Sequence, residues 1–179
     1  MRRFTLALIL VFAATSLLAQ APPEMKPDPK LRQLDALSGT WGCKGTAFAS
    51  PAGPEHPTMG SVSSGWQMND FWLAFTYAEM SSDKNPMPFS VGGFMGYDAE
   101  QKKYVMSSVD NMGGHSSGMS DGWKDNVLTW EGSWHMGTVT MKARDTFTKK
   151  SADEFVHAGW VEQAGKWTKL DEETCTRSM

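Results

Sequence analysis

The sequence predicts an all-β fold, an up-and-down antiparallel barrel of about ten strands preceded by a short N-terminal helical turn. Segments rich in β-branched and aromatic residues recur along most of the chain, and each is closed by Gly, Asn, Asp or Pro. No long apolar pattern with the helical period competes with them. Closure into a barrel is expected because an open sheet would leave edge strands free to aggregate.

The N-terminal residues predict export. Arg2 and Arg3 precede an apolar run over residues 4–14 and then small residues, which is the pattern of a secretory signal peptide. We expect this signal to span residues 1–19 and the mature protein to be periplasmic or secreted. The run is too short to cross a membrane comfortably, so an uncleaved tether is the less favoured alternative. No cysteine lies near the expected cut, so we expect no membrane anchor.

A proline-rich leader and a helical turn follow the signal. Residues 20–30 contain four prolines and are expected to be extended. Leu31, Leu34 and Leu37 then recur at a spacing of three, which predicts a short helical segment against the barrel floor. Residues 31–179 are enough for one barrel domain with a real core.

The predicted strands are joined by tight turns, such as Asp125-Asn126 and Ala164-Gly165, which favour a meander. Alternation of apolar residues is clearest over residues 71–77 and 139–147. The predicted strands span residues 39–48, 58–68, 71–80, 89–98, 102–109, 115–121, 127–135, 138–148, 154–163 and 166–176.

An up-and-down order assigns the two ends of the barrel. The loops over residues 49–57 and 81–88 both follow odd-numbered strands, so they lie at one rim, which we take as the mouth. Trp41 falls at the opposite end, where its indole would plug the floor. Gly39 beside it allows the close backbone packing that a floor needs.

The charge and the cysteines restrict the partners and the compartment. Loss of Arg2 and Arg3 with the signal would take the formal net charge from -3 to -5. An acidic chain without basic runs argues against nucleic acid and anionic membranes as partners. Cys43 and Cys175, in an exported protein, predict a disulfide. Two buried thiols are the alternative, and a redox site is disfavoured because no C-x-x-C pair occurs.

Such a disulfide would also fix the pairing of the first and last strands. If Cys43 and Cys175 are directly opposite, Trp41 must face Arg177, and the guanidinium would lie on the indole. The same alternation either makes one side of the lumen polar or requires a bulge above Cys175. The residues that it would point inward are Lys169, Asp171 and Glu173.

Several local patterns match one family in their order and spacing. They are Leu37-Ser38-Gly39-Thr40-Trp41, Gly92-Gly93-Phe94-Met95-Gly96-Tyr97-Asp98 followed by Tyr104, Asp121-Gly122 before Leu128-Thr129-Trp130-Glu131-Gly132, and Thr176-Arg177. Together they resemble the bacterial domain of unknown function 1579 family, a lipocalin-like or calycin-like barrel group, over residues 30–179. The resemblance implies the fold, with Gly39, Trp41 and Arg177 at the floor, and implies no function. Cys175 stands where the family pattern would have an aromatic residue.

The strand residues predict an apolar and adaptable lumen. Methionine fills irregular space and tryptophan brings a large surface with a polar tip, which suits a small apolar or amphipathic ligand. A fully packed barrel without a cavity is the alternative. Methionines in the predicted strands are Met68, Met80, Met95, Met106, Met119 and Met141. The predicted ligand-binding residues are Phe75, Tyr77, Met95, Met106, Trp130, Met141 and His157.

Residues 114–118, Gly-His-Ser-Ser-Gly, match the G-x-S-x-G pattern of serine hydrolases. That pattern works as a sharp turn from a strand into a helix, whereas the surrounding residues predict strands and turns. Small residues at a narrow crossing of the barrel explain the match more simply. We therefore expect no catalytic residues and no enzyme.

The histidines offer weaker alternatives. His56, His115 and His135 would lie at the same rim, where three histidines could hold a metal, although no metal-binding spacing supports this. His157 lies mid-strand and would face the lumen, where it could ligate haem as in the distantly similar nitrobindin barrels. A hydrogen-bonded histidine is the simpler interpretation, so no cofactor is expected.

These observations favour an exported barrel that binds a small hydrophobic or amphipathic molecule. A haem-binding or metal-binding barrel is the first alternative. An envelope module that binds another protein through its acidic rim is the second. The sequence names neither the ligand nor the oligomeric state.

Overall fold

The computed structural model describes residues 25–50 and 53–178. The predicted signal peptide, residues 1–19, and the start of the predicted leader lie outside the described residues. Within the described part, no helix is long and apolar enough to cross a membrane.

The described chain contains one 3-10 helix, Pro29–Leu37, followed by strands. The strands are β1 Gly39–Ala47, β2 His56–Gln67, β3 Trp72–Glu79, β4 Ser90–Asp98, β5 Lys103–Asp110, β6 His115–Ser120, β7 Trp123–Lys124, β8 Val127–Met136, β9 Val139–Lys149, β10 Glu154–Gln163 and β11 Lys166–Arg177. The predicted strands are found within a few residues of these bounds. The two-residue strand β7 was not predicted.

The strands close into an antiparallel barrel. Each strand from β1 to β6 pairs with the next, β8 to β11 do the same, and β1 pairs with β11. A final pairing of β6 with β8 closes the ring, while β7 forms only a short hairpin with β8. The predicted up-and-down barrel is therefore confirmed.

The 3-10 helix covers the floor of the barrel. Asp28 caps it by accepting a hydrogen bond from the Lys30 backbone N–H at 2.8 Å. Leu31, Leu34 and Leu37, which face the barrel, are 0–4% exposed. Their burial explains why a short helix is stable here, since packing rather than propensity holds such a segment.

Trp41 and Arg177 complete the floor. The Trp41 indole N–H donates to the Leu37 carbonyl at 3.1 Å, and the guanidinium carbon of Arg177 lies 4.1 Å from the indole ring centroid. Arg177 also donates from Nη1 to the Ser38 carbonyl at 2.8 Å. Gly39 has a φ of 121°, and a Cβ there would collide with Arg177 Nη1. A glycine is therefore favoured at this position.

The seam between the first and last strands has the register that the cysteines predict. Cys43 is directly opposite Cys175, and Trp41 is opposite Arg177. The predicted disulfide joins the two cysteines, both of which are about 1% exposed. This bridge marks the boundary between two halves of the lumen.

The half below the disulfide is a packed core. Its inward-facing side chains are 0–7% exposed, and Phe155 packs edge-on against Trp41 with the ring centroids 4.7 Å apart. Such burial excludes water and supplies the main apolar stabilisation of the fold. The inward-facing core residues are Trp41, Leu73, Met95, Tyr104, Met106, Leu128, Trp130 and Phe155.

A bulge in β11 decides which charged side chains face inward. Gly159 pairs with Asp171 but Trp160 pairs with Lys169, so Leu170 is the additional residue. The bulge turns Lys169 outward, where its ammonium lies 4.8 Å from the Trp160 ring centroid. Asp171 and Glu173 lie on the other side of the bulge and remain inward. The sequence predicted either a bulge above Cys175 or a polar side of the lumen, and the structure has both.

Candidate functional site

The upper lumen is the space between the disulfide and the mouth. It is lined by His56, Tyr77, Glu79, Asp145, His157, Asp171 and Glu173. The side chains of Asp145, His157 and Asp171 are 33%, 24% and 32% exposed, although all three face the inside of the barrel. Solvent therefore contacts these three groups, although Val161, which faces inward nearer the rim, is 2% exposed and the Glu79 side chain is 4% exposed.

His157 is held between two aspartates from the neighbouring strands. Its Nε2 lies 3.3 Å from Asp145 Oδ1, and its Nδ1 lies 3.2 Å from Asp171 Oδ1. Burial lowers the pKa of His157, but the two carboxylates outweigh that effect and raise the pKa to about 10. The ring is therefore an imidazolium at neutral pH.

The strand register explains how both aspartates reach one histidine. Asp145 and Asp171 pair with Gly159 from either side, two residues along β10 from His157. A Cβ at Gly159 would lie 2.5 Å from a carboxylate oxygen of Asp171. The missing side chain thus leaves the space through which the carboxylate approaches the histidine ring.

Glu173 forms the base of the upper lumen and is 5% exposed. Its Oε1 accepts a hydrogen bond from the Tyr77 hydroxyl at 2.8 Å, and a carboxylate oxygen lies within 4.8 Å of the sulfurs of Cys43 and Cys175. Burial raises the pKa of Glu173, and the Tyr77 hydrogen bond and the His157 charge oppose it in part. Burial and the neighbouring Glu173 also raise the pKa of Tyr77, so its hydroxyl remains a donor.

A second acidic group lies nearer the rim. Glu79 Oε1 is 3.4 Å from His56 Nε2, and Glu79 Oε2 accepts hydrogen bonds at 2.9 Å from the Asn85 side chain and the Phe89 backbone N–H. Glu79 thereby ties the loop between β3 and β4 to the barrel wall. His56 lies in β2 rather than in the preceding loop, where the sequence analysis placed it.

The predicted ligand-binding residues all face inward, but they separate into two groups. Met95, Met106 and Trp130 are 3%, 7% and 1% exposed and belong to the packed core, and Phe75 packs against that core. Met141 lies part-exposed near the rim. Tyr77 and His157 lie in the upper lumen.

The expectation that strand methionines line the lumen is wrong for three residues. Met68, Met80 and Met119 are 63%, 60% and 43% exposed. Met119 lies within β6 on its outer face, and the other two lie just beyond the ends of β2 and β3. These three methionines therefore contribute nothing to the lining of the lumen.

The rim histidines do not converge on one point. His115 and His135 are directly opposite on β6 and β8, with stacked rings 4.7 Å apart. They alternate with the inward-facing Ser116 and Trp134, so they lie on the outer face, whereas His56 faces inward. Both ring nitrogens of His135 also lie 2.9 Å from hydroxyl groups, those of Ser133 and Thr140.

In the described residues, the inward-facing groups that could ligate a metal or haem already have other partners. The one cluster of three ligating groups there is Cys43, Glu173 and Cys175, and its sulfurs are joined in the disulfide, so they offer no thiolate. His157 engages a carboxylate through each ring nitrogen, and an imidazolium has no lone pair for iron.

The G-x-S-x-G match lies in a strand and not in a nucleophile turn. Residues 115–118 belong to β6, and the short strand β7 follows it rather than a helix. The Ser116 hydroxyl lies 2.6 Å from the Ser108 hydroxyl. The strand-to-helix geometry that such a motif needs is therefore not present at this position.

Two spaces lie next to these residues. A cavity of about 10 Å³ lies beside Asp145, Met106 and Trp130, which is room for one water molecule. A cleft of about 590 Å³ lies outside the floor, between residues 26–31 and the aromatic side chains of Phe71, Trp72 and Tyr97.

Sequence reasoning missed Asp145, which is central to the site. The signal was present, because Asp145 lies in the same alternating series as Met141, Ala143 and Phe147 on β9. The series was used only to locate apolar residues. An inward-facing charge in it would have pointed to a partner such as His157.

The model of the family described as "Protein of unknown function (DUF1579)" matches residues 26–177. The chain belongs to the DUF1579 family. This confirms the resemblance found in the sequence, and the family's description assigns no activity to the DUF1579 barrel. No curated protein matches the chain.

A solved structure shares the fold of this DUF1579 protein at low sequence identity. The crystal structure of Rv2717c from M. tuberculosis is 13% identical, with a TM-score of 0.65, and the match covers 86% of this chain and 100% of that chain. A redesigned β-barrel is 14% identical, with a TM-score of 0.45, over 83% of this chain and 96% of that chain. The first likeness shows a common barrel architecture.

Proposed function

We propose that this DUF1579 protein is exported and binds a small amphipathic molecule in the upper lumen. The observation that carries the proposal is that three charged side chains inside the barrel remain in contact with solvent. Inward-facing polar groups halfway down are 24–33% exposed, whereas the inward-facing core side chains below are 0–7% exposed. Small-molecule sites are concave and mainly apolar with a few polar groups that orient the ligand, and partly exposed charged groups above a packed apolar base fit that description.

The lining suits a ligand with both polar and apolar parts. Asp145, His157 and Asp171 offer charged hydrogen-bonding groups, and the Phe147 ring lies 5.0 Å from the His157 ring. A few polar groups that fix orientation, set beside an aromatic surface, are typical of a ligand pocket. The cavity of about 10 Å³ is far smaller than a ligand, so the molecule would lie above it and displace water.

The disulfide supports export. A buried bridge between the first and last strands persists in an oxidising compartment and is uncommon in the cytosol. N-terminal sequencing of the protein recovered from the cell envelope or the medium tests this part. A start at Gln20 is expected, whereas a start at Met1 would contradict export by a cleaved signal.

Filling the upper lumen tests ligand binding. Ala143 faces inward beside Asp145, while Lys142 faces outward with its side chain 72% exposed. We expect Ala143→Phe to weaken binding of the uncharged probe N-phenyl-1-naphthylamine at least about tenfold, because the ring occupies the pocket. Lys142→Phe adds the same ring to the outer face and should bind as the wild type does.

A second filling variant guards against misfolding of the first. Thr168 faces inward from β11 opposite Val161 and is exposed near the rim. Thr168→Phe should therefore obstruct the same space from another wall. Unchanged probe binding by either folded variant, or no binding by the folded wild type, would contradict the proposed function.

A further inference from the structure

We propose that the molecule bound in the upper lumen is an organic cation, an amine or ammonium compound whose charge lies against the carboxylates of Asp145 and Asp171. This inference rests on the proposed function and names its ligand class. It differs from the apolar ligand that the composition suggests, because the groups in the lumen are mainly acidic.

The charges of the upper lumen do not balance. Asp145 and Asp171 share one imidazolium, that of His157. His56 Nε2 lies 3.4 Å from Glu79 Oε1, so His56 is engaged with its own carboxylate and does not balance the charge of Asp145 or Asp171. At least one carboxylate charge is left over in a partly desolvated site, where an unpaired charge is costly. A bound cation would offset that cost.

The shape of the site also favours a cation. An excess of carboxylate charge between low-dielectric walls concentrates the field, which attracts ligands of the opposite sign. Phe147 and Tyr77 add aromatic surfaces, which attract cations through the ring quadrupole. Phe147 already faces the imidazolium of His157 with the ring centroids 5.0 Å apart. An anionic ligand would meet three carboxyl groups, those of Asp145, Asp171 and Glu173.

Binding of a cation should be linked to the protonation of His157. The groups that face this ring are Asp145 from β9, Asp171 and Glu173 from β11, and Tyr77 beyond Glu173 from β3. A ligand cation competes with the imidazolium for the same two carboxylates. The pKa of His157, about 10 in the free protein, should therefore fall when the ligand binds.

Three probes of similar size and different charge test the ligand class. Benzylamine is a cation at pH 7.5, benzyl alcohol is neutral and benzoate is an anion. We expect calorimetric titration to show that benzylamine binds at least about tenfold more tightly than either of the others. The reason is that only its ammonium can form an ion pair with the carboxylates of Asp145 and Asp171.

Two neighbouring residues supply the variant and its control. Asp171→Asn removes an inward charge, and Glu172→Gln removes the next charge along β11, which faces outward and pairs with Lys169. We expect Asp171→Asn to weaken benzylamine binding about tenfold and Glu172→Gln to leave it unchanged. Asp145→Asn serves if Asp171→Asn does not fold. The wild type gives an independent result, because saturation with benzylamine should lower the pKa of His157 measured by NMR.

The outcomes separate this inference from the proposed function. If benzyl alcohol binds in the lumen as tightly as benzylamine, and Asp171→Asn has no effect, the ligand class is wrong while ligand binding stands. If the folded wild type binds none of the three probes and no N-phenyl-1-naphthylamine, both proposals are overturned.

Discussion

Replacement of His157 by glutamine should change how stability depends on pH. The imidazolium has a pKa of about 10 in the folded protein and 6.5 ordinarily, because two carboxylates hold its proton. A raised pKa means that the stabilisation is fully present below pH 6.5 and is lost as the pH rises towards 10. The difference between these two pKa values corresponds to a contribution of about 5 kcal/mol at most to the free energy of unfolding.

The assay is chemical denaturation of the wild type and His157→Gln at several pH values between 6 and 10. Glutamine keeps a hydrogen-bonding group but no charge, so Asp145 and Asp171 lose their counterion. We expect the variant to be less stable by several kcal/mol at pH 6, with the difference shrinking steadily as the pH approaches 10. His115→Gln is the control, since His115 lies exposed on the outer face. A difference in stability between the wild type and His157→Gln that does not vary with pH would contradict an ion pair between His157 and the two aspartates.

The other predictions concern the floor and the seam of the barrel. Replacing both Cys43 and Cys175 by alanine should lower the free energy of unfolding by about 4–5 kcal/mol in urea titrations, because the bridge spans a separation of 132 residues; a loss below about 1 kcal/mol would contradict this. A double-mutant cycle of Trp41→Phe and Arg177→Ala should give a coupling of about 0.5–2 kcal/mol, and additive losses would show that the pair does not interact. Gly39→Ala should destabilise the fold by about 1–3 kcal/mol, through both its positive φ and its collision with Arg177, and unchanged stability would argue against this floor geometry.

Much of the fold could be predicted because strand pattern and turn chemistry agree locally. The strand predicted over residues 127–135 is observed as Val127–Met136, and the turn before it has Asp125 and Asn126 at positive φ, as a tight hairpin needs. The contact between Trp41 and Arg177 at the floor could be predicted from the cysteines. Once Cys43 is placed opposite Cys175, antiparallel pairing fixes every other residue pair between β1 and β11. The strand β7 was too short to show any alternation.

The site could be predicted only in part. Alternation placed Asp171 and Glu173 inward, but the bulge at Leu170 depends on how β10 and β11 fit together across the barrel, which no local pattern records. The depth of each residue in the lumen was equally hidden. Met106 and His157 both face inward, yet Met106 is 7% exposed in the packed core and the His157 side chain is 24% exposed.

A crystal structure of the protein soaked with benzylamine at saturating concentration would show directly whether a cation binds in the upper lumen. We expect ligand density there, with the ammonium within hydrogen-bond distance of Asp145 or Asp171 and the ring towards Phe147. Density confined to the outer cleft beside Phe71, Trp72 and Tyr97, with only water in the lumen, would contradict this expectation.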